Sequence, residues 1–172
     1  HTLPVREAEA FGVRRVNSKR LERWFSRIET EVLPRLWPEA RRWATEKMEA
    51  NRILFARTRS RVALIHSDIC SDHILWDGRS VTGIIDWADA RISDPAADFG
   101  GLIMSYGKRF ARHAMEHYHT DDPGLVDRPA EVYLHVGLLG MYEAGIMTEN
   151  TALERSAIRH IRRAIRGSYP TE

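Results

Sequence analysis

The stretch HSDICSDHILWDGRSVTGIIDWADARISDPAADF, residues 66–99, decides how the chain folds. It follows the apolar run at residues 62–65, which predicts a strand that ends at a loop carrying Asp68. Further along, Asp77-Gly78 separates two apolar segments, a pattern typical of a β-hairpin, and Asp86 follows the second segment. We therefore expect a small sheet that brings the carboxylates of Asp68 and Asp86 to one end.

Two carboxylates at neighbouring strand ends suit Mg²⁺-dependent phosphoryl transfer. One carboxylate orients or deprotonates the attacking hydroxyl, and the other holds the metal ion on the phosphates of a nucleotide. The residue types and their placement therefore indicate this chemistry.

Three ordered motifs resemble the C-terminal lobe of the aminoglycoside phosphotransferase-like kinases, which are relatives of the protein kinases. The family pattern is roughly H-G-D-x-x-x-x-N-[IV]-L, then I-D-[FW]-x-[DE], then D-P-x-x-D-[FL]. This chain has HSDICSDHIL at residues 66–75, IDWAD at residues 85–89 and DPAADF at residues 94–99. Order and spacing together are far more specific than any one motif. A looser resemblance extends from HTLP at residues 1–4 through the helices after residue 100.

The resemblance implies an α+β fold that is mostly helical, a protein-kinase-like C-terminal lobe with a small β-hairpin sheet at the catalytic loop. We expect residues 1–172 to form a single domain. The N-terminal nucleotide-binding lobe of such kinases needs a phosphate-covering loop and a strand lysine. The chain has neither a G-x-G-x-x-G sequence nor a lysine in such a strand. We therefore expect that lobe to be absent from this chain, and residues 1–172 alone to be inactive.

The resemblance also implies roles for three residues at the loop and the hairpin. Asp68 would be the catalytic residue, while Asp86 and His73 would bind the Mg²⁺-nucleotide. His73 stands where the family usually carries a metal-binding Asn. Because imidazole is a poorer Mg²⁺ ligand than an oxygen donor, we expect Asp86 to be the main metal ligand.

The neighbouring residues would support this centre. His66 and Asp98 would hold the loop in place, and Asp89 would contact the substrate or a second metal ion, although a solvated turn residue fits Asp89 equally well. Asp94 precedes a proline, so we expect it to cap the following helix. Ser67 replaces the glycine that is usual in the family, which we expect to be a mild change.

The implied reaction transfers the γ-phosphoryl group of ATP or GTP to a hydroxyl of a small molecule, with Mg²⁺ as cofactor. An aminoglycoside or a macrolide would be the acceptor, and the enzyme's own N-terminal lobe would be a partner. The alternative is a non-catalytic, kinase-like binding module. His73 and the missing lobe favour this alternative, whereas the intact pair of Asp68 and Asp86 argues against it.

Composition excludes several other classes of protein. The net charge is only +2 and arginines alternate with acids, so we expect no nucleic-acid partner. No apolar run reaches the ~18 residues of a membrane span, so we expect no membrane partner. Cys70 is the single cysteine, which rules out an internal disulfide and suits a cytoplasmic protein.

Hydrophobic periodicity and capping residues predict helices around the small sheet. A helix capped by Asn17 carries inward apolar residues, and a long break is expected at residues 121–124. The further predicted helices cover residues 38–54, 95–106, 108–118, 129–147 and 151–166.

A second motif, HAMEH at residues 113–117, matches the H-x-x-E-H pattern of inverted zincins. Two histidines four residues apart share one face of a helix, and Glu116 could act as a base. A zinc site needs a third ligand, and we find no suitable glutamate motif downstream. A zinc hydrolase is therefore the weaker interpretation.

Overall fold

The computed structural model describes residues 3–58, 61–119, 125 and 130–167. The chain divides into two compact units, which we describe separately. The first contains His1–Val16 and Thr58–Ala130, and the second contains Asn17–Arg57 and Glu131–Tyr169. The single domain expected from the length stays a prediction.

The described residues form six α-helices and four short strands, so the fold is mostly helical. The helices are α1 (Val5–Ala10), α2 (Ser18–Arg27), α3 (Pro38–Thr58), α4 (Ala96–Glu116), α5 (Ala130–Met147) and α6 (Thr151–Ile165). The strands are β1 (Ala63–Ile65), β2 (Ile74–Trp76), β3 (Val81–Ile84) and β4 (Arg91–Ser93).

The predicted hairpin is confirmed in the first unit, where β2 and β3 pair in antiparallel fashion. In the turn, Oδ1 of Asp77 accepts hydrogen bonds from the backbone amides of Arg79 and Ser80, each 2.8 Å long. Gly78 adopts a φ of +94°, which an L-residue rarely tolerates. The Asp-Gly pair therefore closes the turn through the side-chain acceptor of Asp77 and the positive φ of Gly78, the two properties that make this pair a turn signal in a sequence.

A second two-stranded sheet, formed by β1 and β4, was not predicted. Strand β4 is three residues long and contributes one fully buried side chain, Ile92. The backbone of Ile92 donates to the carbonyl of Arg14 and accepts from the amide of Val16, each at 3.0 Å. Strand β4 is therefore stabilised by pairing with distant segments rather than by its own sequence pattern.

Helix α4 follows Pro95, as expected. Oδ1 of Asp94 accepts a hydrogen bond of 3.0 Å from the amide of Ala96, which leaves one fewer unpaired amide at the start of the helix. Gly107 interrupts the helix with φ +86° and ψ 169°. The two helices predicted on either side of residue 107 therefore correspond to the two halves of α4.

The second unit contains α2, α3, α5 and α6. Oδ1 of Asn17 accepts from the amide of Arg20 at 2.9 Å, which confirms the predicted cap of α2. Helix α2 continues through a π-turn at Ile28–Val32 and a 3₁₀ turn at Leu33–Arg35 before α3 begins. Fully or almost fully buried side chains form the core of this unit: Phe25, Ile28, Val32, Ala44, Met48, Leu138, Leu139, Ala157 and Ile161.

A partly buried ion pair joins α5 to α2, with a buried carboxylate at Glu143 and a guanidinium at Arg27 whose side chain is 57% exposed. Glu143 of α5 is 6% exposed, and its carboxylate accepts from Nε1 of Trp24 at 2.7 Å and from Nε of Arg27 at 2.8 Å. Both carboxylate oxygens thus have a donor, which offsets the cost of removing the charge from water.

Two predictions fall partly or wholly outside the described residues. The break expected at residues 121–124 lies outside them, as does residue 129, where the fifth predicted helix was expected to begin. Within the described part of the chain, none of the helices is both long and apolar enough for a bilayer crossing.

Candidate active site

His66 connects the two segments that carry the candidate carboxylates. It follows β1 and is 1% exposed. Its Nδ1 accepts a hydrogen bond of 3.3 Å from the amide of Asp68, and its Nε2 lies 2.8 Å from the carbonyl oxygen of Ile85. A neutral ring with the proton on Nε2 satisfies both contacts. The Trp87 ring packs against it with centroids 4.7 Å apart.

Asp98 contacts the same loop from helix α4. Its Oδ2 accepts from the amide of His66 at 2.9 Å, and its Oδ1 accepts from the amide of Ser67 at 2.7 Å. Asp98 is only 7% exposed, and this burial raises the pKa of its carboxyl group, whereas the two amide donors act in the opposite direction. Hydrogen bonds to a charged acceptor are stronger than neutral ones, so Asp98 is well placed to hold the loop.

Both carboxylate-bearing segments contain a residue in the left-handed region. Ser67 has a φ of +74° and Asp86 has a φ of +61°. For residues other than glycine this conformation costs about 1–2 kcal/mol. The serine at residue 67 is thus a larger change from the usual glycine than the sequence indicated, because the backbone there favours glycine.

His73 lies between the two candidate carboxylates. Its Nδ1 is 2.7 Å from the backbone carbonyl oxygen of Asp68 and 3.7 Å from Oδ2 of the same residue. Its Nε2 is 3.7 Å from Oδ2 of Asp86. The amide of Ile85 donates to the carbonyl of His73 at 3.0 Å. The loop and the hairpin thus bring Asp68, His73 and Asp86 together.

The electrostatic environment of Asp68 changes its affinity for a proton. Partial burial raises the pKa of Asp68, His73 opposes this shift, and the charge of Asp89 adds to it. The Asp68 and Asp86 side chains remain 59% and 56% exposed. Asp68 is therefore an accessible carboxylate whose affinity for a proton is higher than usual.

The site also fits the hard cation that the resemblance implies. Mg²⁺ at kinase-type sites is held by one or two carboxylates together with substrate phosphates and water. Asp86 and Asp68 supply accessible carboxylate oxygens. The described residues contain no group of three or more His, Cys, Asp or Glu side chains that could hold a metal ion by themselves, so the phosphates and water would supply the remaining ligands. The chain thus offers ligands of the kind that a Mg²⁺-nucleotide requires.

Comparison with known proteins identifies the family of the chain. Residues 1–131 match the family model described as Phosphotransferase enzyme family. The chain belongs to this family. The viomycin phosphotransferase of Streptomyces vinaceus is 28% identical over 105 residues, 59% of this chain and 36% of that protein. The uncharacterized protein YcbJ of Bacillus subtilis (strain 168) is 41% identical over 58 residues, 33% of this chain and 19% of YcbJ.

Solved structures share the fold of this chain. The GDP complex of wild-type aminoglycoside 2'-phosphotransferase-IIIa superposes with a TM-score of 0.82 at 24% identity, over 98% of this chain and 58% of that one. The GDP and kanamycin complex of APH(2")-IIia gives 0.80 at 26%, over 94% and 56%. The macrolide 2'-phosphotransferase type I gives 0.66 at 18%, over 94% and 54%. The predicted fold class is confirmed, and the chain spans little more than half of each of these structures.

The chain also carries an exposed apolar surface that its sequence was not expected to form. It lies on and after the β2–β3 hairpin that precedes Asp86, and every member is more than a third exposed: Leu75, Trp76, Val81, Ile84, Ile85 and Trp87. The signal is present in the sequence, because Ile74, Leu75 and Trp76 are apolar at consecutive positions of β2 and so place apolar side chains on both faces of that strand.

The alternative zinc site finds no support in the structure. The rings of His113 and His117 lie against each other, with centroids 4.3 Å apart, and Nδ1 of His117 is 2.9 Å from the carbonyl oxygen of His113. Glu116 forms an ion pair with Arg112 at 3.2 Å. The residues of the motif are thus engaged with each other and with their own helix.

Proposed function

We propose that this chain is the catalytic and acceptor-binding part of a Mg²⁺-dependent enzyme that transfers the γ-phosphoryl group of ATP or GTP to a hydroxyl group. The observation that carries the proposal is the placement of two accessible carboxylates, Asp68 and Asp86, on either side of His73. Membership in the phosphotransferase family supports this reaction class.

Asp68 is the residue that acts on the acceptor. Its carboxylate orients the acceptor hydroxyl and takes its proton as the phosphoryl group is transferred. Burial raises the pKa of Asp68, which makes it a better proton acceptor than an ordinary aspartate. His66 and Asp98 hold the backbone of residues 66–68 through the hydrogen bonds described above.

Asp86 holds the nucleotide through its metal ion. When bound there, Mg²⁺ neutralises the charge that develops on the transferred phosphoryl group. Nε2 of His73 lies 3.7 Å from Oδ2 of Asp86 and orients this carboxylate. Asp89 contacts the acceptor or a second metal ion. We also propose that a nucleotide-covering lobe outside residues 1–172 completes the enzyme. The reaction, which depends on ATP or GTP, takes place in the cytoplasm.

The proposed acceptor is an aminoglycoside or a macrolide. Related structures include complexes with kanamycin and with gentamicin and a macrolide 2'-phosphotransferase, and a related protein is a viomycin phosphotransferase. The exposed acidic side chains of Asp68, Asp86 and Asp89 complement an acceptor that carries amino groups.

A non-catalytic binding module is the second candidate, and the histidine at residue 73 is the observation that favours it. Phosphoryl transfer by the full-length protein to kanamycin, viomycin and a macrolide, with ATP and with GTP, separates the two. We expect turnover that Asp68→Ala abolishes and that Asp72→Asn, a charge change on the same loop, retains. Binding of nucleotide and acceptor without any turnover by the wild type would instead identify a binding module.

A further inference from the structure

One face of helix α4 contacts the catalytic loop at three successive points. Asp98, Gly101 and Ser105 are spaced by three and four residues, so they lie on the same side of the helix. Each of them meets a different part of the loop at residues 66–71. Asp98 was expected to support this loop, whereas Gly101 and Ser105 were not.

Gly101 allows the loop backbone to lie directly on the helix backbone. A Cβ atom at this position would be 3.1 Å from Cγ2 of Ile69 and 3.2 Å from its carbonyl carbon, and closer still to its carbonyl oxygen. Real Cβ atoms do not approach a backbone carbonyl so closely, and a backbone cannot move aside as a flexible side chain can. Residue 69 follows Asp68 directly, so any shift there is passed to the proposed catalytic residue.

Ser105 fixes the next part of the loop. Its hydroxyl oxygen accepts a hydrogen bond of 3.0 Å from the amide of Ser71. Together with the amides of His66 and Ser67, which Asp98 holds, this contact anchors the loop on both sides of Asp68. The Asp68 carboxylate itself stays 59% exposed and accessible.

We propose that Gly101 and Ser105 are positioning residues for Asp68, a proposal that rests on the phosphotransferase function given above. They act through the backbone of residues 69 and 71 rather than by touching a substrate. Precise placement matters because misplacing a catalytic group by 1 Å can reduce turnover by about 100-fold. Glycine is required at residue 101 by close approach and not by an unusual backbone conformation.

The first test compares three glycine-to-alanine variants of the 172-residue chain by amide chemical shifts and amide exchange. Gly101→Ala should move the amide signals of Asp68 and Ile69 and speed their exchange about tenfold, because overpacking displaces the loop. Gly145→Ala is the matched control, since its Cβ would crowd the backbone nitrogen of Glu154 at 2.9 Å, far from the loop in sequence. Gly137→Ala, with nothing within 4 Å of its Cβ, controls for helix propensity.

The second test uses Ser105, where substitution does not crowd the helix. Ser105→Ala removes the acceptor and should speed exchange of the Ser71 amide about three- to tenfold, the effect of one hydrogen bond. Ser105→Thr keeps the hydroxyl and should restore the protection. This rescue separates loss of the hydrogen bond from a general loosening of the helix.

In the full-length protein, Gly101→Ala and Ser105→Ala should lower kcat with little change in the nucleotide KM, and Gly145→Ala should leave kcat unchanged. Loop signals that respond equally to Gly101→Ala and Gly145→Ala, or a Ser105→Thr variant that behaves like Ser105→Ala, would overturn the proposal. An inactive wild type whose loop amides respond as expected would overturn the proposed function instead, and leave the placement of the loop by α4 intact.

Discussion

The carboxyl group of Asp68 controls the expected pH dependence. Burial raises its pKa above the ordinary value of 3.8, and the charge of Asp89 raises it further. A general base works only when deprotonated, so activity should fall at a higher pH than for an ordinary aspartate as the solution is acidified. Asp89→Asn removes one cause of the shift and should move this acidic limb to lower pH. The pH profile of kcat/KM measures both, and a limb that moves upward in Asp89→Asn would contradict the assignment.

The two central carboxylates should respond differently to substitution in the full-length protein. Asp68→Asn should leave nucleotide binding nearly intact and reduce turnover by orders of magnitude, because it removes only the proton acceptor. Asp86→Asn should weaken binding of Mg²⁺-nucleotide, because it removes the charge that faces the metal ion. Titration calorimetry with a non-hydrolysable nucleotide decides between these roles. If both variants bound it as tightly as the wild type, Asp86 would not be the metal ligand.

Ser67 carries a conformational cost that a single substitution can remove. Its φ of +74° costs about 1–2 kcal/mol in the folded state. Glycine avoids this cost but loses more conformational freedom on folding, which cancels roughly half of the gain. Ser67→Gly should therefore stabilise the protein by about 0.5–1 kcal/mol in a denaturant titration. Ser26→Gly, on the exposed side of α2, should instead destabilise it by a similar amount. A destabilised Ser67→Gly variant would show that the serine side chain contributes to the loop.

At the level of the elements, Asp94 stabilises the start of helix α4, and Asp98 of that helix stabilises the catalytic loop. Asp94→Ala removes a cap and should cost about 0.5–2 kcal/mol. Asp98→Ala removes two charge-assisted hydrogen bonds to loop amides and should cost more, since such bonds contribute about 1.5–3 kcal/mol each. Thermal melts with amide exchange on residues 66–73 test this difference. Equal melting shifts with unchanged loop protection would mean that Asp98 has no special role in the loop.

The elements also differ in how well their local sequence predicts them. The β2–β3 hairpin could be predicted because Asp77 and Gly78 determine its turn locally. Strand β4 could not, because residues 91–93 hold one apolar side chain and become a strand by pairing with β1 and with residues 14–16. The break in α4 at Gly107 was predicted, and its φ of +86° is a conformation that glycine adopts readily.

At the level of the whole molecule, residues 1–172 alone should transfer no phosphoryl group. The catalytic-loop and hairpin motifs lie in this chain, but the lysine and phosphate-covering loop of a kinase do not. Incubating the chain with ATP or GTP and each acceptor tests this prediction, with Asp68→Ala as the background. Turnover above that background would show that this chain binds the nucleotide productively by other means.

The sequence by itself determined the fold class and the candidate carboxylates, because the order of the motifs and the turn residues can be identified in the amino-acid sequence alone. Only the tertiary structure decided how the site is held together. The placement of His73 between Asp68 and Asp86, the left-handed backbone at Ser67 and the seating of the loop on Gly101 all depend on segments distant in the chain. The contacts of the loop follow from the packing of α4 against it, and those of His73 with Asp86 follow from the pairing of β2 with β3. No local pattern of residues encodes a distance between two backbones.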